Sequence, residues 1–405
     1  MSSTRPRPKS ESFPEPALRP RLTILSLSTL DHDGRVQREA LHASKRFEVT
    51  TVGWGAWSAR PANVDHRRIE RRTLSSPARA LQAVRVAAGR LYPRAWEAWY
   101  WRKPDHRESL AAVIASKPHL IHANEAISLP IAIRAAQACR ARVLFDAHEY
   151  SLEHWTQNPF LRGLVQPLYR YLIHRYAPRA DAMITVAPKI AERFSEALGL
   201  ECSVVMNAPA YVESPFRSVD PWNIRLIHHG IGVSARRIDR LIEAVALADA
   251  RYSLDLMLLD RESGYLAELR DLADRVAPDR VRFLDPVNPG EIVPALQSAD
   301  LGLAIIPALD YSYLMSLPNK FFEFVMAGLG VITGPSPEMA GLATEHGLGA
   351  VLEGFEPSDI AKGLNALDAS AIEDMKRASL VAARTLNAEA EMARLMTIYE
   401  RLLER

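Results

Sequence analysis

Apolar residues fall along this chain in short, nearly continuous runs separated by longer amphipathic stretches. Residues 21–28 (RLTILSLS), 47–54, 119–124, 142–148, 182–187 and 203–208 are runs of the first kind. A strand covered on both faces of a parallel sheet reads this way, because both of its side-chain rows meet apolar neighbours. Between them lie stretches such as 35–44 and 129–138, whose apolar residues recur three to four positions apart and predict helices. Strand–helix alternation predicts right-handed βαβ units and a doubly wound sheet.

The rhythm breaks at 207–215, which holds Pro209 and Pro215 and no clear period. It then restarts, with predicted strands at 224–230, 254–260, 281–287, 301–307, 330–334 and 349–354. Predicted helices lie at 235–247, 262–276, 291–297 and 318–327, and the tail 369–405 is helical in composition. The expected fold class is therefore α/β: two Rossmann-like, doubly wound parallel-sheet domains facing a cleft, at the carboxyl ends of their strands. The expected division is a disordered tail at 1–20, a first domain at 21–208, a second at 209–380 and a final helix at 381–405.

Composition narrows the function classes. With 405 residues, 48% of them hydrophobic, two sizeable cores can be buried. A net charge of +2 argues against nucleic acid as the main partner. Cys139 and Cys202 are the two cysteines, too few for a disulfide framework. Residues 1–20 are rich in Pro, Ser and charge, with no apolar stretch behind them, so they do not read as a secretion signal. No run of about 20 uncharged apolar residues occurs. A cytoplasmic protein is expected, with any membrane contact peripheral.

The candidate donor-binding residues gather in the second half. Gly230 ends a predicted strand, where backbone can approach a ligand closely, and Arg236 opens the next predicted helix, where positive charge suits a phosphate. The bland alternative is a solvated surface arginine. In Ser316-Leu317-Pro318-Asn319-Lys320, Pro318 suits a first helical turn and Ser316 the cap before it. Free N–H groups, the helix dipole and Lys320 would favour a diphosphate. Glu323, one turn on, would accept from ribose hydroxyls. Phe321, Phe322 and Phe324 read as core. The loop holding Pro286 and Val287 would offer backbone groups to a base, and the polar-aromatic loop 306–313 would lie beside a sugar ring.

The candidate acceptor-side residues are in the first half. Asp146-Ala147-His148-Glu149 ends a strand, and His148 between carboxylates suits a hydroxyl contact or proton relay. The alternative is a structural histidine paired with Asp146. Asp31-His32-Asp33-Gly34-Arg35 follows the first strand; its Asp-x-Asp pattern reads as a helix cap rather than a metal site. His122 and Asn124 end the neighbouring strand and are expected on the same rim. Residues 67–107 carry many arginines interleaved with Trp96, Trp99, Tyr100 and Trp101. This suits either an anionic membrane surface or a helix packed on the sheet.

These residues together resemble the retaining GT-B glycosyltransferases of family four, over roughly residues 21–367. Residues 33–40 (DGRVQREA) are similar to that family's first-helix pattern, 145–149 (FDAHE) to its acceptor-side strand end, and 236–244 (RRIDRLIEA) to its phosphate-binding helix. Residues 317–334 (LPNKFFEFVMAGLGVITG) carry the most specific match. The resemblance implies two Rossmann-like domains, no metal or other cofactor, and a final helix crossing back to the first domain. It implies a nucleotide-diphosphate sugar as donor, transferred with retention to a sugar, lipid-linked or small-molecule acceptor. Glu323 would hold the ribose, Arg236 and Lys320 the diphosphate, and His148 the transferred sugar or the acceptor. Glycan, glycolipid or decorated natural-product synthesis is the expected setting. The chain departs from the family's pattern at Met315, where a Glu is frequent, and at Ile231, where an Arg is frequent. A nucleotide-sugar epimerase on the same fold and an inactive nucleotide-sugar-binding scaffold are the rival readings.

Overall fold

The computed structural model describes residues 19–72, 76–153 and 159–404. Residues 1–18 of the expected disordered tail, and 73–75 within the arginine-rich stretch, lie outside the described residues.

The first sheet has seven strands: β1 (Arg21–Thr29), β2 (Glu48–Trp54), β3 (Val64–Ile69), β4 (Leu120–Asn124), β5 (Arg142–Ala147), β6 (Ala182–Thr185) and β7 (Cys202–Val204). They lie in the order β3-β2-β1-β4-β5-β6-β7 and pair in parallel. The second sheet has six: β8 (Ile224–Gly232), β9 (Tyr252–Asp260), β10 (Val281–Leu284), β11 (Leu301–Ala304), β12 (Gly330–Thr333) and β13 (Gly349–Val351). Their order is β10-β9-β8-β11-β12-β13, again parallel. In each sheet the strand order reverses once, between β1 and β4 and between β8 and β11. Helices leave such a point to opposite faces and open a crevice beyond the strand ends, where ligands of this architecture bind. The α/β, two-sheet architecture expected from the hydrophobic rhythm is the one observed.

Four local expectations are corrected. β3 was not expected, because its sequence VDHRRI is polar. It is an edge strand, and only its two end residues, Val64 and Ile69, are buried. The helix expected at 235–247 is broken: a single 3-10 turn, Ser234–Arg236, ends at Arg237 in the left-handed conformation (φ 50°), and the α-helix runs over Asp239–Leu247. Ser316 does not cap the following helix. Its hydroxyl donates to the Tyr313 carbonyl, and Asn319–Met326 begins after Pro318. Residues 67–107 are not one amphipathic helix. They run through β3 into the helices Ser76–Ala88 and Arg94–Arg102, then enter Pro104–Ala115. Trp96, Trp99 and Tyr100 point inward and are buried, while Arg134 stacks on Trp101 at 3.9 Å and Lys103 on Trp99 at 4.3 Å. Hydrophobic burial has taken the aromatic faces that the membrane expectation required.

The helical tail forms two helices, Ala369–Ala382 and Ala388–Glu404. The second packs Met392, Leu395, Met396, Tyr399 and Leu402 into one core with Leu22, Ile24 and Val36 of the first half. Its start is tied to the connection between the sheets. Ala388 N donates to the Pro209 carbonyl, Glu391 accepts from Met206 N, and Glu389 accepts from Tyr211 N. The two halves also touch across the cleft, where Tyr311 meets Tyr150 edge-on at 5.3 Å and donates through its hydroxyl to the Lys189 carbonyl.

Candidate active site

A cavity of about 600 Å³ lies between the halves, at the carboxyl ends of both sheets. From the first half it is lined by Asp33, Gly34, Arg35, Glu125, His148, Glu149 and Asn207, and from the second by Arg236, Ile306, Tyr313, Leu317, Pro318 and Asn319. The two strand-order reversals place these groups opposite one another, although they are up to three hundred positions apart in sequence. Gly230, Lys320 and Glu323 lie behind this lining, on β8 and on the helix Asn319–Met326. Pro286, which is exposed, and Val287, which is half-buried, lie on the loop after β10 and do not line the cavity.

On the first-half side, parallel register sets Asn124 of β4 beside Asp146 of β5. His148 follows two residues later. Its Nε2 is 2.8 Å from Asn124 Oδ1 and 3.5 Å from Asp146 Oδ2, and its Nδ1 faces Glu125 Oε1 at 3.8 Å. Burial alone depresses an imidazolium. Here the charge of Asp146 and its hydrogen bond override that and hold His148 at about 9. Burial would raise the Asp146 carboxyl, but Arg35, His148 and His122 hold it well below the usual carboxylate range. The protonated form of His148 is therefore favoured, and its Nδ1 side, toward Glu125, borders the cavity.

Beneath the cavity floor lies a buried polar network, in which Arg35 Nη2 and Asp146 Oδ1 have no hydrogen-bond partner among the described residues. Arg35 Nε is 2.7 Å from Asp146 Oδ2 and 3.2 Å from Glu39 Oε1, and its Nη1 donates to the Val205 carbonyl. His122 Nδ1 is 2.6 Å from the Tyr399 hydroxyl. His122 and Asn124 are fully buried, so the expectation that they line the rim is corrected: they support His148 from below. Side-chain alternation along β4 explains this, since the strand is covered on both faces. Glu39, His122 and Asp146 lie close enough together to hold a cation, the one such group among the described residues. The Arg35 guanidinium already sits between the two carboxylates and supplies the positive charge. Asp33 caps its helix by accepting from Val36 N and takes a hydrogen bond from the Ser28 hydroxyl. Asp31 bonds Ser58 N instead.

On the second-half side, β8 ends in His228-His229-Gly230. Gly230 has φ 133°, and a Cβ there would lie 3.3 Å from Lys320 Nζ. Glycine therefore serves both conformation and approach. Lys320 Nζ is 3.1 Å from His228 Nε2. Burial, then the nearby Arg236, lower Lys320 to about 7, against the pull of Glu323. Glu323 Oε2 is 3.2 Å from His229 Nε2, and the His229 ring meets Phe324 edge-on. Phe321, Phe322 and Phe324 are core, as expected. Arg236 projects from its 3-10 turn over the Tyr313 ring at 5.0 Å, whereas Arg237 turns back to pair with Asp239. The face combines a helix amino end, the Arg236 guanidinium, the Lys320 amine and a close backbone approach, a combination whose chemistry suits a diphosphate.

Sequence reasoning missed Glu125 and Asn207, which line the cavity, and gave no role to Arg38, which lies behind Gly34; Tyr313 belongs to the loop 306–313 expected beside a sugar ring. Arg38 is legible from spacing, one helical turn after Gly34. Asn207 sits in the connection that carried no pattern.

Comparison with known proteins agrees with this geometry. Residues 35–209 match the family model described as Glycosyl transferase 4-like domain. No curated protein sequence matches the chain. Solved structures with the same fold include Anabaena HepE in complex with UDP-glucose (16% identity, 94% of this chain and 99% of that one, TM-score 0.67). The sucrose-phosphate synthase of Thermosynechococcus elongatus is similar at 14% identity (95% and 100%, TM-score 0.70). The alpha,alpha-trehalose-phosphate synthase (UDP-forming) of Burkholderia vietnamiensis is similar at 12% (96% and 99%, TM-score 0.67). The fold is GT-B, and the family-model match lies in its first half.

Proposed function

We propose that this protein is a metal-independent glycosyltransferase that moves a sugar from a nucleoside-diphosphate sugar to an acceptor hydroxyl with retention of configuration. The observation that carries the reading is the convergence on one cleft of Arg236, the amino end of Asn319–Met326 and His148, with Lys320 just behind. As the nucleotide departs, charge develops on its diphosphate. Arg236, Lys320 and the helix amino end stabilise that charge without reorganising. Glu323 holds the ribose, and the base extends beyond the cavity lining toward the loop with Pro286 and Val287. Across the cleft, His148 donates from its imidazolium to the transferred sugar or the acceptor, and Glu149 and Asp33 border the acceptor. Closure of the halves aligns the acceptor hydroxyl with the anomeric carbon. Met315 and Ile231 leave two of the family's frequent polar contacts unmade, which alters the sugar site more than the nucleotide site.

UDP is the first nucleotide to test, since the HepE neighbour holds UDP-glucose. Glycan, glycolipid or decorated natural-product synthesis in the cytoplasm is the setting we assign, with 21–208 the acceptor domain and 209–380 the donor domain. No helix among the described residues is long and apolar enough to cross a membrane. Peripheral contact is supported by exposed Leu81, Val84, Leu91 and Tyr92 beside exposed Arg85, Arg90 and Arg94.

The test is a melting-temperature screen of nucleotides and nucleotide-sugars against wild type and Glu323→Ala. A ligand that binds only the folded state raises stability by mass action. A shift with one nucleoside diphosphate, lost in the variant, is the expected result. No shift with any nucleotide would leave the fold without this function and favour a scaffold.

A further inference from the structure

Arg38 lies on the helix Gly34–Ala43, one turn beyond its start, and its guanidinium points back toward that start. One end of the fork donates to Asn207 Oδ1, and Nη1 lies 3.4 Å from where a Cβ on Gly34 would stand. Gly34 and Asn207 both line the cleft cavity, facing Arg236 and Asn319 from the other half. The side chain is half-buried, yet the partner to which it donates is a neutral amide oxygen.

The carboxylates nearby are engaged elsewhere. Glu39 pairs with Arg35 and accepts from Asn124, Asp33 caps its own helix, and Glu323 faces His229. Among the described residues, none of them forms an ion pair with Arg38. Burial, then the neighbouring Arg35, disfavour its charged form, against the pull of Glu39, Glu323 and Asp33. A half-buried cation without an anionic partner has lost part of its hydration and is costly unless a ligand supplies the anion. A guanidinium presents paired N–H donors in a fork that fits phosphate oxygens. The amino end of its own helix adds a field of the same sign.

We propose that Arg38 is the first half's direct ligand to the donor's diphosphate, completing from the opposite wall the cage that Arg236 and Lys320 begin. The proposal rests on the donor-site reading above. It also gives donor binding a means of drawing the halves together, because one anion is then held from both sides.

Calorimetric titration of the full chain with the free nucleoside, its monophosphate and its diphosphate tests this, using the base found in the melting screen. Arg38→Ala is expected to weaken diphosphate binding about tenfold or more while leaving the nucleoside within about twofold. Arg38→Lys should recover part of the loss. Arg38→Gln keeps a donor for Asn207 without the charge; it serves if the alanine variant does not fold, and should lose the diphosphate preference equally. An unchanged diphosphate-to-nucleoside ratio in folded Arg38→Ala or Arg38→Gln overturns the assignment and leaves the donor site standing. Wild type that binds no nucleotide at all overturns both.

Discussion

Lys320 Nζ sits 3.1 Å from His228 Nε2, while His228 Nδ1 lies 2.8 Å from the Leu303 carbonyl. A carbonyl oxygen only accepts, so Nδ1 carries the proton and Nε2 receives from Lys320. Burial, and then Lys320, push His228 well below its ordinary value, so the imidazole is neutral and gives the lysine no counter-charge. Lys320, held at about 7, is therefore largely uncharged above neutrality in the empty site. A diphosphate favours the charged form and raises that value. Nucleoside-diphosphate binding should take up a proton and weaken as pH rises through about 7 to 9. Titration in two buffers of different ionisation enthalpy reads the uptake directly. Affinity that is flat over this range would remove Lys320 from the diphosphate contacts.

Asp146 holds Arg35 and His148 at once. Asp146→Asn leaves Arg35 short of a counter-charge in a buried setting, which costs about 3–5 kcal/mol. In wild type, His148 is raised in the folded protein above its ordinary 6.5, to about 9. The stability it contributes is complete below about pH 6.5 and is lost as pH rises through about 9. Denaturant melts across that window should show the decline in wild type and a flatter profile in His148→Gln. An equal slope in both would place the titrating group elsewhere.

Among the hydrogen bonds by which the crossing helix meets the first half, the one between Tyr399 and His122 is buried beneath the acceptor side. Tyr399→Phe keeps the edge-on packing on Phe47 and removes that bond, leaving buried His122 Nδ1 unpaired. A loss of about 1–3 kcal/mol in chemical denaturation is expected. Deleting residues 387–405 should do far more, because it strips Met392, Leu395, Met396 and Leu402 from a core shared with β1. A truncated chain that melts like wild type would show that the helix is dispensable to the first half.

The proposed membrane face makes a separate prediction. Leu91→Glu combined with Tyr92→Glu, at positions 80% and 71% exposed, should abolish sedimentation with anionic lipid vesicles at low salt. Donor-induced melting shifts should be unaffected. Wild type that fails to sediment would dismiss the membrane contact, whatever the variant does.

The sequence by itself determined the α/β class, the two parallel sheets and nearly all their strands, because strands buried on both faces must be apolar throughout. β3 escaped notice for the converse reason: an edge strand can stay polar. The helix Asn319–Met326 and the cluster Phe321, Phe322 and Phe324 were legible from local chemistry. Tertiary structure alone decided which polar groups face the cleft. His122, Asn124 and His148 sit on adjacent strand ends with similar local signals. Register and the crossing helix bury the first two and leave the third at the cavity. Residues 94–102 combine tryptophans with arginines in a way that suits a membrane, and only packing against neighbouring helices buried Trp96 and Trp99 and left Trp101 half-buried under Arg134. Arg38 follows Gly34 by one helical turn in the sequence, but its lack of a carboxylate partner became visible only once Asn207 was brought beside it across about 170 residues of chain. Local patterns fix which residues form an element. Which neighbour satisfies or isolates a buried charge depends on contacts between elements far apart in the chain, and those come into being only when the sheets assemble.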